Sequence, residues 1–306
     1  MSFVSNSTGS FFNRSLAQMA DLRAGIERAR TQIATGNKIE RGSDDPAAAA
    51  QLRNVARRER LASVEGDNTA RLGQDISSAS QEVEAVKSLL QRARELAVRA
   101  ANTPTGADGR QAIAFELEQL TEELFSRANG TALTGEPLFA GLSSGAAFTR
   151  DAAGNVTYIG TPTSGVVPVA PGTAIERGLP GNEVFEFDLG GTPSSAFAVL
   201  SGLASALSGG SPDPAGAALA AIDGIDAALD TANRAQTILG TRLAWVEQVQ
   251  QQQGTRSIEL AERRSRVGDT DIAEAIARLQ QSLTALEASQ AAFARISSLS
   301  LFNALR

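Results

Sequence analysis

Both ends of this chain carry apolar residues at heptad spacing, and no other feature limits its folding choices as much. Phe12, Leu16, Met19, Ile26 and Ile33 recur at heptad-compatible steps, with Arg23 and Arg30 at the intervening seam places. Near the other end Ile276, Leu279, Leu283, Leu286, Gln290 and Phe293 advance by 3, 4, 3, 4 and 3. Such a period holds one stripe toward a partner helix. When first and last segments both need helical partners, the expectation is a closed or polymerised bundle with the middle of the chain protruding. The apolar residues of the two stripes, Gln290 aside, are the candidate assembly interface.

Composition fits this reading. Apolar residues make up 42 % of the 306, but aromatic ones only 5 %, which suits long, thin helical packing better than a thick globular core. The net charge of −6 argues against nucleic-acid binding by electrostatics. Arg53, Arg57, Arg58 and Arg60 form a local basic spot, read as a solvated helix face or a subunit contact. With no Cys and no His, the chain lacks disulfides, thiolate nucleophiles, imidazole metal ligands and the commonest general base. No cofactor is expected. No apolar run reaches the length of about 18 residues needed to span a membrane. Met1 to Thr8 has neither a basic nor an apolar signal region.

The first helix is expected from about Ser10 to Ala34, ending at Thr35-Gly36-Asn37. Ser43-Asp44-Asp45-Pro46 then starts a long helix: Asp45 as cap, and Pro46 at the first position, where its missing N–H costs nothing. From Leu72 to Ala100 the apolar residues Leu72, Ile76, Ala79, Val83, Val86, Leu90, Ala93 and Ala97 keep a 4, 3 rhythm. Gly66 and Gly73 suggest a phase shift or a bend. A helix from Pro46 to Ala101 would extend about 80 Å and must lie along similar neighbours. After a turn at Asn102–Gly106, a return helix carries Ile113, Leu117, Leu120 and Leu124, ending near Asn129-Gly130.

The texture changes at Thr131. Short apolar runs at Pro137–Phe139, Val156–Ile159, Val166–Val169 and Val184–Phe187 read as strands, with Asp151–Asn155 as a hairpin turn and Ala196–Leu207 as one helix. A third long helix begins after Asp213-Pro214, carries Leu219, Ile222, Ile225, Leu229, Ile238 and Val249, and runs to about Arg263. Val267–Thr270 breaks it. Asp269 or Thr270 then caps a final helix from Asp271 to about Leu305. The expected fold is mainly α: a long coiled-coil-like bundle of N- and C-terminal segments, with a small β-rich domain inserted. Its divisions are 1–42 with 267–306 as terminal helices, 43–130 with 213–266 as a three-helix bundle, and 131–212 as the insert.

Little catalytic chemistry is visible. There is no phosphate-binding glycine loop and no calcium loop. The acidic neighbours Asp44/Asp45, Glu122/Glu123 and Asp269/Asp271 read as caps and solvated faces. Asn129-Gly130-Thr131 and Asn155-Val156-Thr157 match the glycan acceptor triplet, and Trp245 reads as a packing residue.

Several segments resemble the flagellin superfamily. Gly42-Ser43-Asp44-Asp45-Pro46-Ala47-Ala48 resembles the start of the long helix in bacterial flagellins and their junction relatives. Leu286 to Asn303, through Ala291-Ala292-Phe293-Ala294-Arg295 and Leu299-Ser300-Leu301-Phe302, is similar to the C-terminal signature of the hook–filament junction branch. Asn129-Gly130-Thr131 through Leu138-Phe139-Ala140-Gly141, Gly154-Asn155-Val156-Thr157-Tyr158-Ile159-Gly160 and Ile238-Leu239-Gly240-Thr241-Arg242-Leu243 fit it too. The resemblance implies a non-catalytic subunit of the flagellar axis at the hook–filament junction, outside the cell. It would be exported by the flagellar type III apparatus with an export chaperone. Assembly would be with copies of itself and neighbouring hook-associated and flagellin subunits, through the paired termini. Two alternatives stay open: a filament flagellin, and a surface protein whose insert binds a ligand such as a polysaccharide.

Overall fold

A computed structural model describes the backbone over residues 3–102 and 106–304, and side chains over 10–102 and 106–297. Most of the predicted turn at Asn102–Gly106 and the predicted helix end at Leu305 therefore lie outside the described residues. The chain is mainly α. Its helices are α1 (Phe3–Thr35), α2 (Pro46–Ala101), α3 (Ala107–Ala128), the short α4 (Gly181–Phe185), α5 (Ala196–Ser205), α6 (Pro214–Gly268) and α7 (Ile272–Ala304). Six short strands lie between α3 and α5: β1 (Phe148–Arg150), β2 (Val156–Tyr158), β3 (Val166–Ala170), β4 (Thr173–Glu176), β5 (Glu186–Leu189) and β6 (Thr192–Ser195). They form three separate antiparallel ribbons, β1–β2, β3–β4 and β5–β6, rather than one sheet. Two compact units result, residues 1–61 with 256–306, and residues 62–255. Both divisions fall inside long helices, α2 and α6.

In the unit of residues 62–255, α2 turns the whole predicted stripe inward: Leu72, Ile76, Ala79, Val83, Val86, Leu90, Ala93, Ala97 and Ala100 are all buried. No helix break occurs at Gly66 or Gly73. A side chain at Gly73 would press on Val246 of α6, so the glycine serves close packing rather than a bend. α6 contributes small residues to the core, Ala218, Ala228, Ala232 and Ala235, beside Ile225 and Leu239. Leu219 and Ile238, expected on its inner stripe, are 59 % and 39 % exposed. Counting only large side chains hid the alanine-lined face on which α6 packs. Polar ties set the register: Arg94 grips Asp226 through two bonds of 2.6 and 3.2 Å, and Gln236 donates to Ser80 at 2.9 Å.

The insert adds to the same core instead of building its own. Phe139, Phe148, Val169, Ile175, Val184, Phe185 and Phe197 belong to one buried cluster with the helical residues. Phe185 stands edge-on to Phe139 and Phe148, with ring centroids 5.5 and 5.2 Å apart, and stacks on Phe197 at 5.6 Å. One predicted strand is absent here and another is present only in its second half, Glu186-Phe187, which opens β5. Pro137 makes only an isolated bridge to Thr131, while Val184 and Phe185 sit in α4. Both of those adjacent side chains are buried, which in a strand would need cover on both faces. The hairpin turn is where the spacing put it, with Asp151 N–H donating to Asn155 O at 3.0 Å and Gly154 at φ 89°. The Asp151 carboxylate accepts from the backbone N–H and the side-chain amide of Asn155, and these bonds hold its pKa below the ordinary value.

Phe139-Ala140-Gly141 and Tyr158-Ile159-Gly160 interlock. Thr161 N–H donates to Ala140 O at 3.0 Å, and the Tyr158 hydroxyl donates toward Thr161 O at 2.7 Å and Phe139 O at 3.1 Å. Gly141 has φ 66°, and a side chain there would overlap the Thr161 carbonyl. α5 runs two residues short of the predicted end. It passes into a wide π turn, Ala206–Gly210, closed by Gly209 at φ 106°.

Replacing Phe148 by Ala, which leaves a hole against three aromatic neighbours, should cost about 3–5 kcal/mol. Phe115→Ala, at a site 64 % exposed, should stay within about 0.5 kcal/mol; urea unfolding measures both. Burial raises the pKa of Tyr158, the chain's only tyrosine. Above the unfolded phenol pKa of about 10, the folded state then holds a proton that the unfolded state has lost. Its contribution to stability is full below that pH and fades as pH rises through the folded value. Tyr158→Phe should flatten this alkaline decline, with tyrosinate absorbance reporting the titration.

Candidate assembly interface

In the unit of residues 1–61 and 256–306, α1 and α7 pack along each other as an antiparallel pair. Phe12 meets Phe293 edge-on with centroids 5.2 Å apart. The covered stripe of α1 runs through Phe12, Ser15, Met19, Leu22, Ile26, Ala29 and Ile33, with Met19 and Ile26 buried and the others half-buried. Leu16 is 52 % exposed, and Arg23 and Arg30 are also exposed. On α7 the covered stripe is Ala275, Leu279, Ser282, Leu286, Ser289 and Phe293. Leu283 is half-buried on its flank, and Ile276 is 41 % exposed.

The candidate residues therefore divide into two groups. Phe12, Met19, Ile26, Ile33, Leu279, Leu286 and Phe293 lie in the seam of the pair. Leu16, Ile276 and Leu283 lie beside it. Sequence spacing alone missed Ser15, Leu22, Ala29, Ala275, Ser282 and Ser289, because both helices admit two overlapping heptad registers and the structure uses the one richer in small residues. The signal was present: Phe12, Met19, Leu22, Ile26, Ala29 and Ile33 also follow heptad steps. Each apolar stripe is thus broader than one neighbouring helix covers. Phe11, Ile272 and Ile296 add to the uncovered part, at 37 %, 51 % and 37 % exposed.

A short backbone clasp joins the inner ends of the two helices. Gly36, at φ 71°, ends α1 in the left-handed conformation that glycine tolerates. Lys38 N–H donates to Gly268 O at 2.6 Å, Thr270 N–H donates to Gly36 O at 2.8 Å, and Asn37 bridges Asp269. Next to the clasp, Asp45 Oδ1 accepts from Ala48 N–H at 2.9 Å ahead of Pro46, the first residue of α2. The cap of α7 is Asp271, whose Oδ1 accepts from Ala273 N–H at 2.9 Å and Glu274 N–H at 3.2 Å. Asp269 and Thr270, expected in that role, are held by the clasp.

The remaining candidates are structural in their surroundings. Asp44 accepts from Arg41 N–H, Glu122 pairs with Arg150, and Glu123 pairs with Arg127 at 3.2 Å. Asn129 is occupied: Oδ1 accepts from Phe148 N–H at 2.9 Å, and Nδ2 donates to the Phe125 and Phe148 carbonyls. Asn155 Nδ2 donates to Asp151. Arg57 donates to Asn54 at 3.1 Å, with Arg53, Arg57, Arg58 and Arg60 all exposed. Trp245 is 46 % exposed and is not the packing residue expected. Among the described residues, no group of three or more acidic side chains is placed to hold a metal ion, and no helix is long and apolar enough to cross a membrane.

The profile of the bacterial flagellin N-terminal helical region matches residues 7–144. The flagellar hook-associated protein 3 of Escherichia coli strain K12 is 25 % identical over 312 aligned positions, which cover 97 % of this chain and 98 % of that protein. The chain is thus similar to the bacterial flagellin N-terminal region and to hook-associated protein 3. Its fold is similar to that of FlgL from Xanthomonas campestris, with a TM-score of 0.62 and 19 % identity over 68 % of this chain and 98 % of that one. The flagellar junction protein FlgL from Legionella pneumophila gives a TM-score of 0.59 at 15 % identity over 72 % of this chain and all of that one. The segments Phe139–Gly141 and Tyr158–Gly160, which carry part of the resemblance, are the interlocked pieces of the aromatic core.

Removing the α2 cap by Asp45→Ala should destabilise the unit that holds the terminal helices by about 1 kcal/mol. Asp45→Asn, which keeps an acceptor, should recover most of that loss in thermal unfolding.

Proposed function

We propose that this protein is a structural subunit of the bacterial flagellum, without catalytic activity, joining the hook-associated zone to the filament. One observation carries the assembly reading: the apolar stripes of α1 and α7 exceed what the pair covers, leaving Leu16, Ile276 and the flank around Leu283 open. Neighbouring copies would supply the missing cover, so the ordering of the ends is coupled to assembly. The junction position rests on the likeness to hook-associated protein 3 across 97 % of the chain. In this reading the terminal helices line an inner tube, the bundle surrounds it, and the segment 131–212 faces outward. Hook-associated and flagellin subunits are the neighbours on either side. Export would pass through the flagellar type III apparatus with a chaperone, for which loosely held ends are suited.

The match of residues 7–144 to the flagellin N-terminal region favours a filament flagellin as the second reading. Labelling in situ separates the two: a junction protein gives a thin zone at the base of each filament, and a flagellin gives label along its length.

In dilute solution protease should trim the chain to roughly Lys38–Arg266 and leave a resistant fragment; ends as resistant as the centre would refute coupled ordering. Replacing Leu283 and Leu286 by polar residues should abolish assembly without changing the main melting transition of the full-length monomer. A full-length variant whose main transition falls well below the original would show instead that these side chains stabilise the monomer.

A further inference from the structure

The net charge of −6 hides a strong segregation. The unit of residues 1–61 and 256–306 holds 17 Lys and Arg against 12 Asp and Glu, a net of +5. The unit of residues 62–255 holds 11 against 22, a net of −11. Like units of two copies repel and unlike units attract, so charge alone favours a contact that pairs the basic unit of one copy with the acidic unit of another.

Each unit carries a feature that matches the other. In the basic unit, α2 and α6 border a groove of about 340 Å³, with Val55, Leu260 and Val267 as its apolar lining and Arg58, Arg263 and Arg266 at its edge. Arg58 and Arg263 make no ion pair among the described residues, and Arg266 only a loose one with Glu262 at 3.9 Å. In the acidic unit, α3 turns Asp108, Gln111, Phe115, Glu118 and Glu122 outward, at the 3- and 4-residue steps that put side chains on one helix face. Phe115 stands 64 % exposed in the middle of that face. A large aromatic side chain set among carboxylates, and an apolar groove rimmed by guanidinium groups, are complementary in both shape and charge.

We propose that the Phe115 face of α3 in one copy docks in the α2–α6 groove of a second copy. Phe115 lies on Val55, Leu260 and Val267, while Asp108 and Glu118 face the arginines. Glu122 keeps its own partner, Arg150. The contact joins two different surfaces, so it is heterologous and propagates into a ring or an open helix instead of closing as a dimer. It rests on the proposed function only in taking a second copy as the partner, and it uses none of the residues of the α1–α7 stripes.

The absence of cysteine makes the test clean. Full-length Asn54→Cys and Ala112→Cys proteins, mixed and gently oxidised, should give at least about tenfold more cross-linked heterodimer than Asn54→Cys mixed with Leu219→Cys, an exposed site elsewhere in the acidic unit. Arg58→Glu with Arg263→Glu should weaken concentration-dependent self-association about tenfold in sedimentation. Mixing that protein with an Asp108→Arg, Glu118→Arg copy should restore association. Raising ionic strength from about 0.01 to about 1 M, which cuts the screening length from about 30 to about 3 Å, should weaken the native contact in the same direction. Cross-linking no better than the control, charge reversal without effect, or a protein that stays monomeric throughout would each overturn the proposal. If the cross-link is absent while polar residues at Leu283 and Leu286 still abolish assembly, the groove contact alone has failed. If the cross-link forms while that variant assembles normally, the terminal-helix reading alone has failed.

Discussion

An apolar stripe can be covered by one antiparallel neighbour only across the width of a single seam, and in the terminal helices of this chain the stripe is wider than that. Met19 and Ile26 are sealed between α1 and α7, while Leu16 and Ile276 remain in water. Small residues at Ser15, Ala29, Ser282 and Ser289 line the seam itself, so much of the larger apolar surface lies to either side. An isolated pair with this layout gains little from burial while still bearing the entropy of ordering two helices of 33 residues each. Under the proposed function, neighbouring molecules would change that balance.

The unit of residues 62–255 has the opposite character. Its core is continuous from Leu72 to Val249, and the insert contributes aromatic side chains to it rather than sitting on it as a separate body. The five rings of Phe139, Phe148, Tyr158, Phe185 and Phe197 concentrate there much of the aromatic content of a chain otherwise poor in it. A self-sufficient core beside incompletely covered ends is the division of labour expected of a part that must be stable alone and adhesive in company.

The long helices were legible because period and punctuation agreed. Asp45-Pro46 marks the start of α2, Asp213-Pro214 marks that of α6, and the 4, 3 rhythm from Leu72 to Ala100 identifies the buried face. What escaped was decided by tertiary context. Val184 and Phe185 look like the start of a strand, yet they form the last turn of α4, buried in the core, and the strand β5 begins only at Glu186. On α6 the alanines form the packing face, and the more conspicuous Leu219 and Ile238 stand outside it. At the termini two heptad registers overlap within one sequence, and only packing chose between them. The seam between α1 and α7 was therefore legible in outline and displaced by part of a turn, while the cap of α7 moved from Asp269 or Thr270 to Asp271 because the clasp claims the first two.

That clasp has a mechanical meaning. Asn37 and Asp269 are more than 200 positions apart in the chain, yet a few backbone bonds hold the roots of both terminal helices side by side. Each helix consequently meets the other at a high effective concentration, as two arms on a common pivot, and the cost of bringing them together is met once by the folded remainder. Tension applied to one arm is transmitted through the pivot to the other, so the termini behave as a single handle.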